Sequence, residues 1–320
     1  MTVTETATRP PHAPARSQAE PKRRRKPLSD NLAGYLFLTP WLIGVAVFVA
    51  GPTLASLYLS FTNFNLLSPP KWVGLQNYIQ LFTVDPRYIH SIEVTLIYVV
   101  ASVPLSLAAA LVLALLLNTK IRGVGIYRSI YYVPSLLGGS VAIAILWRQV
   151  FDSNGIFSHF LQLFGIPATS WISTPGLSIW TLIFLHVWQF GSPMVIFLAG
   201  LKQIPTELYE AAAVDGASKW MQFRNITLPL LTPIVFFNLI LTMINAFQAF
   251  TPAYVVSSGT GGPLDSTLFY TLYLYINGFT NFRMGYASAM GWVLLIVVAA
   301  FAAAAFATSR YWVYYEDSED

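Results

Sequence analysis

The residues most able to do chemistry in this chain lie close together, at 204–230: IPTELYEAAAVDGASKWMQFRNITLPL. Glu210 and Asp215 are carboxylates that can pair with a basic surface. Ala211, Ala212 and Ala213 are small enough to let another surface approach the backbone. Gly216 can take the left-handed conformation that ends a helix. Pro205 suits a first helical turn, residues 206–213 favour helix, and Glu207 and Glu210 lie toward the positive end of its dipole. Residues 218–225 can form a second short helix, with Trp220 and Phe223 three apart on one face. The segment is expected to be a helix–turn–helix. From its residues alone it is a docking element or a loop packed on its own protein.

Other chemistries lack their residues. No Gly-x-x-x-x-Gly-Lys-[Ser/Thr] occurs, and no Gly precedes a Lys, so the chain has no loop of that kind to cradle a nucleotide. There is no cysteine, which excludes thiolate metal sites and disulfides. His12, His90, His159 and His186 are scattered and form no pair at ligand spacing, so no metal site is expected. Asp85 and Glu93 stand without an obvious partner, and no nucleophile–base pair is evident. The chain is not expected to be an enzyme.

The elements that position the 204–230 segment are apolar. The 320 residues are 55% hydrophobic and 10% charged, with a mean hydropathy of +0.58. A soluble domain carries about 25% charged residues, so lipid must cover most of this surface. Six stretches are long enough to cross a bilayer, which takes about 20 apolar residues in a helix. They are 33–60, 92–117, 130–151, 177–200, 228–250 and 285–308. Gly51-Pro52 predicts a kink or break in the first, and Pro104 lies inside the second. The expected class is all-α and polytopic, with six transmembrane helices.

Fourteen of the 18 Lys and Arg fall on one side of this arrangement, seven of them within the first 26 residues. The positive-inside rule then places both termini in the cytosol. Residues 1–30 are polar, basic and Pro-rich, and read as a disordered cytosolic tail rather than a secretory signal. Lys22, Arg23, Arg24, Arg25 and Lys26 would hold that end inside and touch anionic lipid; a partner-binding role is the alternative. The basic residues point to membrane topology, not to nucleic acid. Span cores hold no Asp, Glu or Lys, which argues against an ion-coupled transporter.

The EAAAVDGA run from Glu210 to Ala217, followed by Phe223, Ile226, Leu228 and Pro229, resembles the EAA loop of binding-protein-dependent ABC importer permeases. Arg122, Gly123, Arg128 and Pro134, then Gly261-Gly262-Pro263, then the GYASA run from Gly285 are similar to the carbohydrate branch, the maltose and glycerol-3-phosphate type. The Ser257-Ser258-Gly259-Thr260 lead-in is slightly longer than that pattern, and the large periplasmic insertion of some maltose-type subunits is missing. The resemblance implies a type I importer permease fold in the cytoplasmic (inner) membrane. Its segments would be the tail 1–30, a first span and outer loop at 31–90, the permease core at 91–309 with the coupling loop at 204–229, and a cytosolic tail at 310–320. It implies a second permease, expected to be a paralogue, two ATPase subunits that bind ATP and Mg, and an extracytoplasmic solute-binding protein. This chain would carry no cofactor. Glu210, Ala211, Ala212, Asp215 and Gly216 would couple it to the ATPase.

A sugar as cargo would need amide and hydroxyl partners and an aromatic face at mid-membrane depth. The fourth and fifth spans offer His186, Trp188, Gln189, Asn238, Asn245 and Gln248. Asn238 and Asn245 are seven apart, near one helical face, and Gln248 is three further on. The alternative role is hydrogen bonding between helices, worth about 0.6 kcal/mol on average. Glycerol phosphate or its diesters, amino acids and peptides remain alternative cargoes, although no Arg or Lys lies deep in a span. A secondary transporter is a further alternative.

Overall fold

The structure is a computed structural model and describes residues 30–119 and 122–314, with side chains from 34. The basic tail run, Lys120 and the acidic end from Glu316 lie outside the described residues. The chain divides between residues 53 and 54 into two units.

The first unit holds α1 (Asp30–Val45) and a π-helical turn (Ala46–Ala50). No break occurs at Gly51-Pro52. The Gly51 N–H donates to the Ala46 carbonyl, five residues back. Pro52 has no N–H to donate, and the widened turn accommodates the missing bond without ending the helix. Helix continues as α2 (Gly51–Ser60), and Gly34–Ser60 is long and apolar enough to cross a membrane.

The second unit begins with a minimal antiparallel pair, β1 (Thr62–Asn63) and β2 (Lys71–Trp72), in which Thr62 faces Trp72. All else regular in the described residues is helical. α3 (Gln76–Thr83) leads to α4 (Pro86–Leu117), a single 32-residue helix. Then follow α5 (Val124–Leu137), α6 (Val141–Val150), α7 (Ile156–Gln162), α8 (Ser178–Trp188) and α9 (Gly191–Leu201). The inner connection holds α10 (Thr206–Val214) and α11 (Lys219–Gln222). The chain ends through α12 (Leu228–Phe247), α13 (Thr251–Val256), α14 (Tyr270–Tyr275) and α15 (Met284–Ser309).

Two more of the six expected spans need correction. The third is not straight: α5 and α6 meet at 102° across Gly138, Gly139 and Ser140. Two successive glycines weaken helix there, and the Ser140 hydroxyl caps α6 by accepting from the Ile143 N–H. The fourth is broken by 40° at Gln189-Phe190, between α8 and α9. The fifth begins at Leu228 as expected, the first residue of α12. A π-helical turn, Phe223–Thr227, joins α11 to α12, so helix runs without a break from Lys219 to Phe247. Here too the π turn stands just before a proline: the Leu228 N–H donates to the Phe223 carbonyl, and Pro229 follows. Each bent pair counted once, the chain has six candidate spans.

α4 is the centre of the second unit. It packs against α8, α9 and α12. Its buried residues, among them Thr95, Tyr98, Ser102, Ser106, Ala110 and Ala114, recur every three or four positions on the face they share. Most are small, which lets neighbouring backbones approach closely, as helix packing in lipid requires.

Candidate functional site

The α10–α11 hairpin is built as its residues suggest. α10 ends in a Schellman motif. The Ala217 N–H donates to the Ala212 carbonyl at 2.9 Å and the Gly216 N–H to the Ala213 carbonyl at 3.1 Å. Gly216 has φ +80°, a conformation that glycine alone adopts without a Cβ penalty. Ser218 then caps α11 by accepting from the Met221 N–H. Of two contacts that the sequence did not reveal, the first ties the hairpin to the base of α12 and the second braces it internally. The Tyr209 hydroxyl meets the Thr227 hydroxyl at 2.9 Å, and buried Gln222 donates to the Ala217 carbonyl.

Glu210, Ala211, Asp215 and Gly216 are exposed, and Ala212 is half-buried. Glu207 lies in the first turn, whereas Glu210 sits a turn further on, beyond the strongest part of the helix dipole. Neither Glu210 nor Asp215 has a salt-bridge partner among the described residues. Apolar side chains surround them in the open: Val214 is 89% exposed and Trp220 69%. Trp220 and Phe223 do share a face, with ring centroids 5.5 Å apart. The surface combines unpaired carboxylates with uncovered apolar groups, the makeup of a docking face.

A second site lies among the broken helices. A cavity of about 380 Å³ is lined by Gly138 and Gly139 at the α5–α6 corner, by Gln189 at the α8–α9 break, and by Gln248 through Pro252 at the α12–α13 break. Three interruptions thus meet at one place. Irregular backbone at membrane depth is tolerated where it is buried in protein or lines a cavity. Hydroxyls of Ser106, Ser135, Ser192, Thr242 and Thr251 and the ring of Tyr98 add to the lining, and no Asp, Glu, Lys or Arg belongs to it. The side-chain amide of Gln189 reaches the Gly138 and Leu185 carbonyls at 3.3 and 3.2 Å. A Cβ at Gly138 would meet the Gln189 side chain in its present position, and that side chain would have to move aside.

Of the six solute-pathway candidates, His186, Gln189, Asn245 and Gln248 line this cavity. His186 also meets Tyr98 edge-on, and its Nε2 has no partner among the described residues. Trp188 and Asn238 stand elsewhere. Trp188 packs on Trp147, whose indole N–H donates to the Thr181 carbonyl and ties α6 to α8. Asn238 is buried, with its Nδ2 also unpartnered among the described residues. Seven residues carry it about 10 Å along the helix from Asn245; a shared face is not a shared depth. Ser135, Ser192 and Thr251 were missed. Their signal was the Gly138-Gly139 pair inside an apolar run, which marks a corner rather than a straight span.

Residues 95–315 match the family described as binding-protein-dependent transport system inner membrane component. The chain belongs to that family. As such it is a transport subunit of the inner membrane. This permease is 51% identical over 300 residues to the "Probable ABC transporter permease protein YesP" of Bacillus subtilis, covering 93% of this chain and 97% of that one. It is 32% identical to the "Lactose transport system permease protein LacF" of Rhizobium radiobacter, over 84% and 91% of the two chains. Among solved structures, a bacterial alginate ABC transporter crystallised with a periplasmic protein bound to alginate pentasaccharide has a chain that superposes with a TM-score of 0.74. That match is at 22% identity over 87% of this chain and 94% of the other, and it supports the type I permease fold.

At the outer end of the permease, Asp85 has partners that the sequence did not reveal. Its carboxylate caps α4 by accepting from the Tyr88 N–H, and it takes the hydroxyls of Tyr273 and Tyr286 at 2.7 and 2.6 Å. Burial pushes the carboxyl up, but the hydrogen bonds from Tyr286 and Tyr273 and from the backbone outweigh it and hold Asp85 below its ordinary value of 3.8. Arg87 forks onto Asp265 at 2.7 and 2.9 Å, and Glu93 pairs with His90 at 3.5 Å. Buried Tyr270 accepts nothing charged; its hydroxyl donates to the Met290 carbonyl and its N–H to the Thr95 hydroxyl. These contacts join α4, α14 and α15 into one outer layer above the cavity.

Proposed function

We propose that this permease forms one half of a pathway carrying an uncharged oligosaccharide inward, driven by an ATPase on separate subunits. The observation that carries the cargo class is the cavity. Its lining offers amides, hydroxyls, an imidazole and an aromatic ring, the groups that replace water around a polyol, and no cation to hold a phosphate. The relative named for lactose transport agrees with this reading. Glycerol phosphate and its diesters would be expected to draw on a basic group that this lining does not supply.

The pathway needs a second, paralogous permease to close it, and a solute-binding protein outside to load it. ATP and Mg belong to the two ATPase subunits. The α10–α11 hairpin would seat in a cleft on one of them. Glu210 would meet a basic group there, Ala211 and Ala212 would permit close approach, and Asp215 and Gly216 would set the turn. The 204–229 segment is then the coupling loop within a permease core of 91–309.

Purification of the tagged chain from its native membrane in mild detergent, with mass spectrometry of what accompanies it, tests the assembly. An ATPase, a second permease and a binding protein are expected. Recovery of this chain alone, under conditions that keep other membrane complexes whole, would return the secondary-transporter reading. Glu210→Lys should abolish ATP-dependent uptake with membrane insertion intact; wild-type uptake would remove Glu210 from coupling. Reconstituted with its partners, the permease should import a neutral oligosaccharide in preference to glycerol-3-phosphate; the reverse preference would sink the cargo class.

A further inference from the structure

A second groove follows the same seam between α5 and α9, further toward their cytosolic ends. It measures about 440 Å³ and is lined by Arg128, Ser129 and Tyr132 on α5 and by Val195, Leu198 and Ala199 on α9, closed by Lys202. Its make-up differs from that of the cavity above. Aliphatic side chains and a tyrosine form the walls, and no carboxamide lines it. The polar groups gather at one end, since Arg128 and Ser129 lie in the first turns of α5 and Lys202 is the residue at which α9 stops. By the distribution of basic residues, that end faces the cytosol.

Arg128 is held in place. Its Nη2 donates to the Leu117 carbonyl at 2.7 Å, which fixes the guanidinium against the last turn of α4. Its Nε is buried without a partner among the described residues, and neither Arg128 nor Lys202 pairs with a carboxylate among them. Two unneutralised cations thus stand at the mouth of an apolar channel. From Val195 to Lys202 the channel extends about 10 Å, the length of several methylenes.

We propose that this groove binds one anionic phospholipid of the inner leaflet. The headgroup phosphate would lie between Arg128 and Lys202, beside the Ser129 hydroxyl, and an acyl chain would follow Tyr132, Leu198 and Val195 outward. Charge complementarity selects the headgroup, and basic pockets between helices on the cytosolic side suit such lipids. The apolar walls distinguish this occupant from a sugar leaving the cavity, which would find a single tyrosine hydroxyl and no amide along them. The seam connects the groove to Ser135 and Ser192 of the cavity, so the lipid would brace the two helices whose outer ends line that site.

The test is native mass spectrometry of the purified permease, with whatever subunits accompany it, titrated with phosphatidylglycerol, phosphatidylcholine or glycerol-3-phosphate. Phosphatidylglycerol should be retained in preference to phosphatidylcholine. Lys202→Gln should weaken its retention by about fivefold, the effect of one basic residue at an anionic surface. Ala199→Phe keeps both charges but fills the channel, and should weaken it as well while leaving the protein folded by thermal unfolding. Equal retention of the two phospholipids, or an unchanged preference in both variants, would overturn the proposal. Glycerol-3-phosphate binding as tightly as phosphatidylglycerol would also overturn it, because the walls would then contribute nothing.

Discussion

Replacing Asp85 with Ala is the sharpest probe of the outer layer. The substitution removes the N-cap of α4, worth about 1 kcal/mol. It also removes the acceptor for the hydroxyls of Tyr273 and Tyr286, which are 6% and 2% exposed. A buried donor left unsatisfied costs about 1–3 kcal/mol. Asp85 itself is half-buried, and water entering its place would recover part of that cost. The expected loss is about 3 kcal/mol, a fall of roughly 4–5 °C in melting temperature for a chain of this size. Thermal unfolding of the purified protein in detergent measures it. A double-mutant cycle isolates the cause. Tyr286→Phe should destabilise the native sequence, yet cost almost nothing in the Asp85→Ala background, where its hydroxyl has already lost its acceptor. The sign with pH follows from the lowered pKa. The contribution is complete above the ordinary carboxylate value of 3.8 and is lost as pH falls through the lower, folded-state value, so the gap between native and Asp85→Ala should close in that window. Equal costs for Tyr286→Phe in both backgrounds would refute the reasoning, as would a gap that persists once the carboxyl is protonated.

Two further outcomes follow from the sites. Gly216→Val places a β-branched residue at φ +80°, which costs about 1–2 kcal/mol; uptake should fall while assembly and the melting temperature of the spans change little, and a variant with native uptake would remove the turn from coupling. Asn245→Leu should alter the uptake kinetics of the solute without affecting recovery of the assembled complex, and unchanged kinetics would take Asn245 out of the pathway.

The sequence displayed some features of this permease plainly and hid others for physical reasons. The α10–α11 hairpin was legible because each of its signals acts locally: a glycine at the turn and runs of helix formers on either side. The long α4 was legible because hydropathy is a sum over neighbours. The α5–α6 corner was obscured by the same sum, since an average over twenty residues is blind to direction, although Gly138-Gly139 stood in view. Asp85 was misread as partnerless because its tyrosines lie 188 and 201 residues away. Asn238 was grouped with Asn245 because helical phase is visible in a sequence, whereas depth against α4 and α9 is not. Gln189 and Asn245, which line the cavity, stood out in the sequence because an uncharged amide in an apolar run is conspicuous whatever its neighbours.

The π-helical turn at Phe223–Thr227 bears on how the hairpin is aimed. A π turn holds one residue more than the α-helix it interrupts, so the helix beyond it is rotated by about 100° relative to an uninterrupted one. The direction in which Trp220 and the tip at Gly216 face around the axis of α12 is therefore set by a single surplus residue. Deleting one residue between 223 and 227 would leave the bonds inside the hairpin intact, yet turn the whole loop by more than a quarter of a revolution, away from Thr227 and from whatever it now addresses. The turn is in this sense an adjustment of azimuth, made without changing the composition of either part it joins.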